Sequence, residues 1–495
     1  MKLHITGGMN EYYVQTLCMI FFPGEKFSGE ETENEPVLWL DVAESAEAIT
    51  ASARLAYQGK EARSTRTVPL DNDHTLDRTR KIAVGYVVLE TAGEIMHYRP
   101  SWGMLTGVRP SKIATELLLK GMSKTRVRRT LASDYMVIPK KAALATEVAL
   151  REMEIIGTPD PRDCSVYISI PFCPTRCSYC SFVSYTSKRL LSLIPDYLTL
   201  LCDELRRKFA AIRELGLRVL TVYIGGGTPT ILDAAQLETL LKTVNEETDV
   251  SALREFTLEG GRPDTIDAEK LAIAAAYGVT RVCVNPQTLC DEVLKGVGRC
   301  HSAEDFYRAY DIARGAGIQC INTDLIVGLP GDDFKSFFAT YDEIIRLAPE
   351  NITVHTFCVK RAAEILREGK RAYNLRGGDA GKCVDYSQIR AAEAGYQPYY
   401  MYRQKNMVGN YENVGFAKPG TECLYNIYMM EEVHSIFAVG AGAVTKLVDY
   451  APAGTGKKSV IRRLFNPKYP YEYLEADGGV KQAEEIIGFY RERGF

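Results

Sequence analysis

At 495 residues the chain is too long for one ordinary core, so two or three domains, or one large barrel with additions, are expected. Hydrophobic and charged contents of 46% and 25% are those of a soluble globular protein, and a formal net charge of -3 gives no electrostatic reason to expect a nucleic-acid partner. No run of about 18 apolar residues exists, so no membrane span is expected. The apolar run Leu17-Cys-Met-Ile-Phe-Phe22 is short and follows Asn10 and Glu11, unlike a signal peptide. With 13 scattered cysteines, an odd count with no even framework, this points to a reducing cytoplasm.

Residues 1–98 alternate strand-like runs, Val37-Leu-Trp-Leu-Asp-Val42 and Ile49-Thr-Ala-Ser-Ala-Arg54, with polar turns, and then carry a helical stretch over 75–90. They predict a small α+β domain. A helical connector, 99–163, passes through Gly103, Gly107 and Pro110, with helices over 111–121 and 142–156. Its basic run Lys124-Thr-Arg-Val-Arg-Arg129 reads as a solvated helix face. The turn Gly157-Thr-Pro-Asp-Pro161 marks a boundary.

From 164 to 358 the rhythm becomes strand–helix. Strands are predicted over 166–170, 219–224, 255–259, 281–285, 318–326 and 352–357. Helices are predicted over 187–215, from an Asp233 N-cap, and over 268–277, 302–316 and 334–348. The strands read as buried on both faces. Six such units make either a doubly wound sheet or an incomplete (β/α)6 barrel. Polar and glycine residues follow nearly every strand, which favours the barrel, because a barrel gathers all its strand ends into one mouth. Residues 359–495 form a mixed α/β extension expected to cover the substrate. It has a helix over 379–394, the aromatic segment Tyr396-Gln-Pro-Tyr-Tyr-Met-Tyr402 and the turn Val439-Gly-Ala-Gly-Ala443.

The tightest motif is Cys173-Pro-Thr-Arg-Cys177-Ser-Tyr-Cys180, directly after the first barrel strand. Thiolates select iron–sulfur clusters, zinc or copper(I). Three on one loop, with no second knuckle nearby to complete a zinc site, suggest a cubane cluster with one open iron. Gly225-Gly-Gly-Thr-Pro-Thr230 either brings backbone close to a ligand or makes a tight turn. Glu259, Gln287, Arg299 and Asp324 stand at or just after strand ends, where together they could bind an amine, ribose hydroxyls and a carboxylate. Asp324 adjoins the apolar run Leu325-Ile-Val-Gly-Leu-Pro330, where a charge needs a partner. His355 reads better as a packed histidine than as a substrate contact, and His301 is equally plausible as a substrate contact or as a residue at a helix N-terminus.

Tyr167-Ile-Ser-Ile-Pro-Phe-Cys173, the cysteine loop, the glycine run, Val284-Asn-Pro-Gln287 and Asp324-Leu-Ile-Val-Gly-Leu-Pro330 together resemble the radical S-adenosylmethionine superfamily. More narrowly they resemble the oxygen-independent coproporphyrinogen III dehydrogenase group. Trp102-Gly-Met-Leu-Thr-Gly-Val-Arg-Pro110 and the segment 404–446 are similar to its HemZ-type branch. The resemblance implies a [4Fe–4S] cluster on Cys173, Cys177 and Cys180, with S-adenosylmethionine on the open iron. It implies cofactor contacts at Tyr167, Tyr179, Gly226, Gly227, Thr228, Glu259, Gln287, Arg299 and Asp324. It also implies a 5′-deoxyadenosyl radical that converts propionates of coproporphyrinogen III to vinyl groups, fed by a low-potential donor such as flavodoxin or ferredoxin. Arg109, Lys360, Arg361 and Arg403 are candidate propionate partners, since guanidinium matches carboxylate geometry. The sequence departs from the founding branch at Phe182, where that branch has a further cysteine. The haem-chaperone branch also lacks that cysteine, but its histidine motif is replaced here by Tyr425-Asn-Ile-Tyr428, which leaves a haem carrier, or an enzyme of another tetrapyrrole, as alternatives.

Overall fold

The computed structural model describes residues 1–27, 35–70, 74–180, 184–358, 378–404, 407–451 and 459–495. They form two compact units, Met1–Ala149 with Met401–Glu412, and Leu150–Tyr400 with Asn413–Phe495. The division falls inside the helix Pro139–Ile156 rather than at 98 or 163.

In the first unit, β1 (Lys2–Ile5), β2 (Val37–Glu44), β3 (Ala48–Tyr57) and β4 (Lys60–Pro69) form a sheet in that order, with β1 parallel to β2 and the other pairs antiparallel. Alternation sets its faces. Ile49, Ala51, Ala53 and Leu55 of β3 are buried, while Thr50 and Ser52 on the other face pair with Thr67 and Thr65 across β4. Helices Glu11–Phe21 and Leu76–Met96 are N-capped by Asn10 and Thr75. The basic run lies on the helix Lys124–Ser133, which buries Val127 and Leu131, one turn apart, and exposes Lys124, Arg126 and Arg129.

The segment 401–412 joins this unit because its charges are bonded there. Glu412 accepts from Trp102 Nε1 at 2.7 Å and from Lys141 Nζ at 2.6 Å, with all three side chains buried. The Arg403 guanidinium donates to the carbonyl of Leu105 and to Asn410. An ion pair this deep needs every remaining lone pair and proton satisfied, and the Trp102 indole supplies one of those bonds.

The second unit is α/β. β5 (Asp163–Ile170), β6 (Arg218–Gly226), β7 (Glu255–Leu258), β8 (Arg281–Cys283), β9 (Cys320–Val327) and β10 (Asn351–Thr356) run parallel in sequence order. They form the expected six-stranded parallel core, open between β5 and β10. β11 (Gln397–Tyr402) and β12 (Asn413–Ala417) extend the β10 edge, β12 antiparallel. On the other edge β13 (Ser435–Val439) pairs parallel to β5 and is followed by the antiparallel β14 (Val444–Asp449) and β15 (Val460–Phe465). The helices Ala234–Glu247, Ala268–Ala276, Ala303–Gly315 and Phe334–Leu347 are capped by Asp233, Asp267, Ser302 and Asp333. The helix expected over 187–215 is two, Lys188–Leu191 and Ile194–Glu214, because Pro195, which has no N–H to donate, opens a new first turn.

The core strands are not apolar on both faces. Val166, Ile168, Ile170, Val222, Ile224, Phe256 and Leu258 are buried on one face. The alternate positions are polar and bonded to one another. Ser165 Oγ joins His434 Nε2 and Thr221 Oγ1, both at 2.8 Å, and Arg281 pairs with Glu255 at 3.3 Å. At the N-terminal ends of the strands, the Glu255 carboxylate accepts from the backbone N–H of Leu424 and Tyr425, which open the helix Leu424–Glu431. Tyr425 then stacks on Tyr223 at 4.5 Å and Tyr167 at 6.0 Å, and the three rings form a floor.

Candidate active site

The cysteine loop leaves the C-terminal end of β5. Its stem is closed by Cys173 N–H to Tyr185 O (3.1 Å) and Tyr185 N–H to Pro171 O (2.9 Å). Its tip is held by Ser178, whose N–H and Oγ both donate to Val297 O at 3.0 and 3.3 Å, and it turns through Cys180 N–H to Cys177 O at 3.0 Å. Cys173 is buried, and Cys177 and Cys180 are half-buried. Burial pushes the Cys173 thiol up to about 11, against a hydrogen bond from Thr228. Among the described residues, no three His, Cys, Asp or Glu side chains converge tightly enough for one metal ion. A cubane needs another arrangement, one thiolate at each of three irons, and three thiols spaced along one short loop are the soft donor set it takes.

The glycine run packs directly on that loop. Gly227 N–H donates to Ile170 O at 2.7 Å and Thr228 N–H to Phe172 O at 2.8 Å. A Cβ on Gly227 would lie 2.5 Å from Phe172 O and 3.0 Å from Cys173 Sγ. Gly226 adopts φ 108°, which a side chain would resist. Thr228 Oγ1 reaches Cys173 Sγ at 3.2 Å.

Across the same mouth stand the acidic residues. Burial, reinforced by the charge of Asp324, pushes Glu259 up to about 8, against hydrogen bonds from Gly226 and Tyr223. Burial would also raise Asp324. Bonds from His355, Asn322 and Thr353 outweigh it and hold Asp324 below the usual carboxylate range. Asn285 Nδ2 and Asn322 Nδ2 donate to its two oxygens at 2.9 and 2.8 Å, and His355 Nε2 lies 3.7 Å away. Arg299, buried, donates to Tyr179 Oη at 3.0 Å, to Gly261 O at 3.0 Å and to Asn285 O at 3.2 Å. Gln287 sits at φ 70° in the turn after β8, bridged to β9. Its Oε1 and Arg299 Nε are buried without a hydrogen-bond partner among the described residues. Two orphaned polar atoms at one rim are what a polar ligand would satisfy.

The structure therefore gathers Cys173, Cys177, Tyr179, Gly226, Gly227, Thr228, Glu259, Arg299 and Asp324 through shared contacts at the strand ends, and places Gln287 on the adjoining turn. Tyr167 lies lower, in the floor stack. Arg403 is not a free cation: it is buried in the first unit with its guanidinium committed to Leu105 and Asn410. Arg109 is half-buried in that unit, and Phe182, Lys360 and Arg361 lie outside the described residues. Sequence reading missed Arg262, which touches the cysteine loop, Asp264, which grips Arg262, and Asn285, which holds Asp324. The signal for the first pair is Gly260-Gly-Arg262-Pro263, a glycine turn following Glu259.

The Radical SAM superfamily matches residues 167–344. The fold is similar to the Escherichia coli coproporphyrinogen III oxidase HemN, a radical SAM enzyme, with a TM-score of 0.51 at 21% identity over 67% of this chain and 72% of that one. The chain is 31% identical over 326 residues to the heme chaperone HemW of Bacillus subtilis, spanning 65% of this chain and 81% of that protein. It is 36% identical over 487 residues to the oxygen-independent coproporphyrinogen-III oxidase-like protein HemZ of Bacillus subtilis, spanning 96% of this chain and 95% of that protein. Identity sustained along nearly the whole of both chains places this protein in the HemZ family of radical SAM proteins, whose cofactors are a [4Fe–4S] cluster and S-adenosylmethionine.

Proposed function

We propose that the protein catalyses oxygen-independent oxidative decarboxylation of coproporphyrinogen III propionates to vinyl groups, giving protoporphyrinogen IX for haem in the cytoplasm. The observation that carries the site is the contact of the glycine run with Cys173, which puts a backbone cradle beside the cluster loop. The substrate follows the similarity to HemZ. Cys173, Cys177 and Cys180 hold the cluster. Gly226, Gly227 and Thr228 present backbone to the methionine portion of S-adenosylmethionine, and Glu259 and Asp324 face its cationic and hydroxyl groups. Gln287 and Arg299 offer their unpartnered atoms, and Tyr179 is oriented by Arg299. The cluster and S-adenosylmethionine, reduced by a donor such as flavodoxin or ferredoxin, supply hydrogen-abstracting radical chemistry.

The chain's own part is to bind, orient and keep water out. Glu259 holds its proton at neutral pH until an ammonium group arrives, while Asp324 is already ionised. The rings of Tyr167, Tyr223 and Tyr425 stack beneath this mouth and present it with an apolar surface. The test is an anaerobic assay with coproporphyrinogen III on reconstituted protein. Wild type is expected to release carbon dioxide and form vinyl product, and Cys177→Ala neither. Deoxyadenosine formation without any vinyl product would sink the substrate assignment. Haem carriage is the second reading, favoured by the HemW relatives, and a Soret shift at stoichiometric haem would support it. Tyr425 and Tyr428 count against it, since Tyr425 is packed in the floor and Tyr428 accepts from Arg254 at 2.6 Å.

A further inference from the structure

Cys173 and Cys177 each receive a hydrogen-bond donor from outside their own loop. Thr228 Oγ1 lies 3.2 Å from Cys173 Sγ, and its backbone is fixed by the bond from Thr228 N–H to Phe172 O. Arg262 Nη1 lies 3.8 Å from Cys177 Sγ, within reach for the larger sulfur atom, and also donates to Thr175 Oγ1 at 2.9 Å and Thr175 O at 3.3 Å. The opposite edge of that guanidinium is gripped by Asp264, with Nε–Oδ1 and Nη2–Oδ2 both 3.1 Å. Arg262 is buried, and an unpaired buried charge would be costly. Asp264 neutralises it and, by taking both donors of one edge, leaves Nη1 aimed at the loop. A surface arginine pairing loosely with Asp264 would need neither the burial nor the contact with Cys177.

We propose that Arg262 and Thr228 are positioning residues that set the reduction potential of the cluster, an inference resting on the assignment of that cluster to Cys173, Cys177 and Cys180. Reduction adds negative charge to the cluster and its thiolates. Donors at the sulfurs stabilise that state and raise the potential, so the two residues ease delivery of the electron.

The test is a potentiometric titration of the anaerobically reconstituted full chain, followed by electron paramagnetic resonance without S-adenosylmethionine. Thr228→Val keeps the shape and removes the donor, whereas Thr228→Ser keeps the donor. The double variant Arg262→Leu/Asp264→Leu removes the guanidinium without stranding its carboxylate. Held at the wild-type midpoint, Thr228→Val and the double variant are each expected to lower the reduced-to-oxidised ratio about tenfold, or 59 mV for one electron. Thr228→Ser should stay within about twofold by the same relation. Loaded variants with the wild-type midpoint would overturn the inference and leave the cluster assignment standing. Should the double variant fail to load, Thr228→Val against Thr228→Ser decides alone. If Cys177→Ala binds as much cluster as wild type, the assignment itself fails.

Discussion

Glu259 and Asp324 are two carboxyl groups in one interior whose surroundings drive them apart. Asp324 is surrounded by donors. Glu259, buried and facing the Asp324 charge, titrates near 8. Because Glu259 binds its proton more tightly folded than unfolded, its contribution to stability is complete below about 4.5 and is lost as pH rises through about 8. The apoprotein should therefore lose up to about 1.4 kcal/mol per pH unit across that window from this group. Glu259→Gln, neutral throughout, should flatten the fall of Tm with pH, and parallel curves for variant and wild type would contradict the assignment. At this scale the sequence is informative where residue type alone names the chemistry, as with Cys173, Cys177 and Cys180. It is silent on Arg262. An arginine in a turn beside Pro263 and Asp264 looks like surface, and only the return of Thr175, 87 positions earlier, buries it.

Among the elements at the site, the turn after β6 depends on the absence of a side chain. Gly227→Ala would drive a methyl into Phe172 O and Cys173 Sγ. The backbone carbonyl cannot swing aside as a flexible side chain would, so the loop must shift. Gly227→Ala is expected to keep a wild-type circular dichroism spectrum while retaining less than about a tenth of the reconstituted iron, a loss of roughly 1.4 kcal/mol or more in cluster binding. Iron retention equal to wild type would show that the loop absorbs the methyl. All six core strands are legible as apolar runs, because their positions on one face are mostly Val, Ile, Leu and Phe. Their polar inner face is not, since Tyr167, Tyr223 and Thr257 are half-apolar residues of high strand propensity and read like the rest of the run. The break between the two helices at 188–214 was marked by Pro195 but hidden by the continuous apolar period around it.

At the scale of the whole molecule, the second unit closes only with residues remote in sequence. Glu255 anchors Leu424 and Tyr425 from 169 and 170 positions away, and no local pattern announces such a contact. A chain ending at 412 lacks β12 through β15 and the Tyr425 helix, and leaves strand edges bare on both sides of the parallel core. Bare edges pair with other chains, so this truncation is expected to elute as aggregate in size-exclusion chromatography where the full chain does not. A monodisperse truncated species would mean that the core is self-sufficient.

β5 carries the cysteine loop at one end and has β6 on one flank and β13 on the other. The bond between Ser165 and His434 spans 269 positions. During synthesis, which runs at about 5–20 residues per second, the strand that presents the three thiols waits many seconds with one edge unpaired. The cysteine loop is therefore translated early and made rigid late. The loop's strand is flanked on both sides only once β13 has emerged, so the nascent thiols stay exposed to oxidants in the interval.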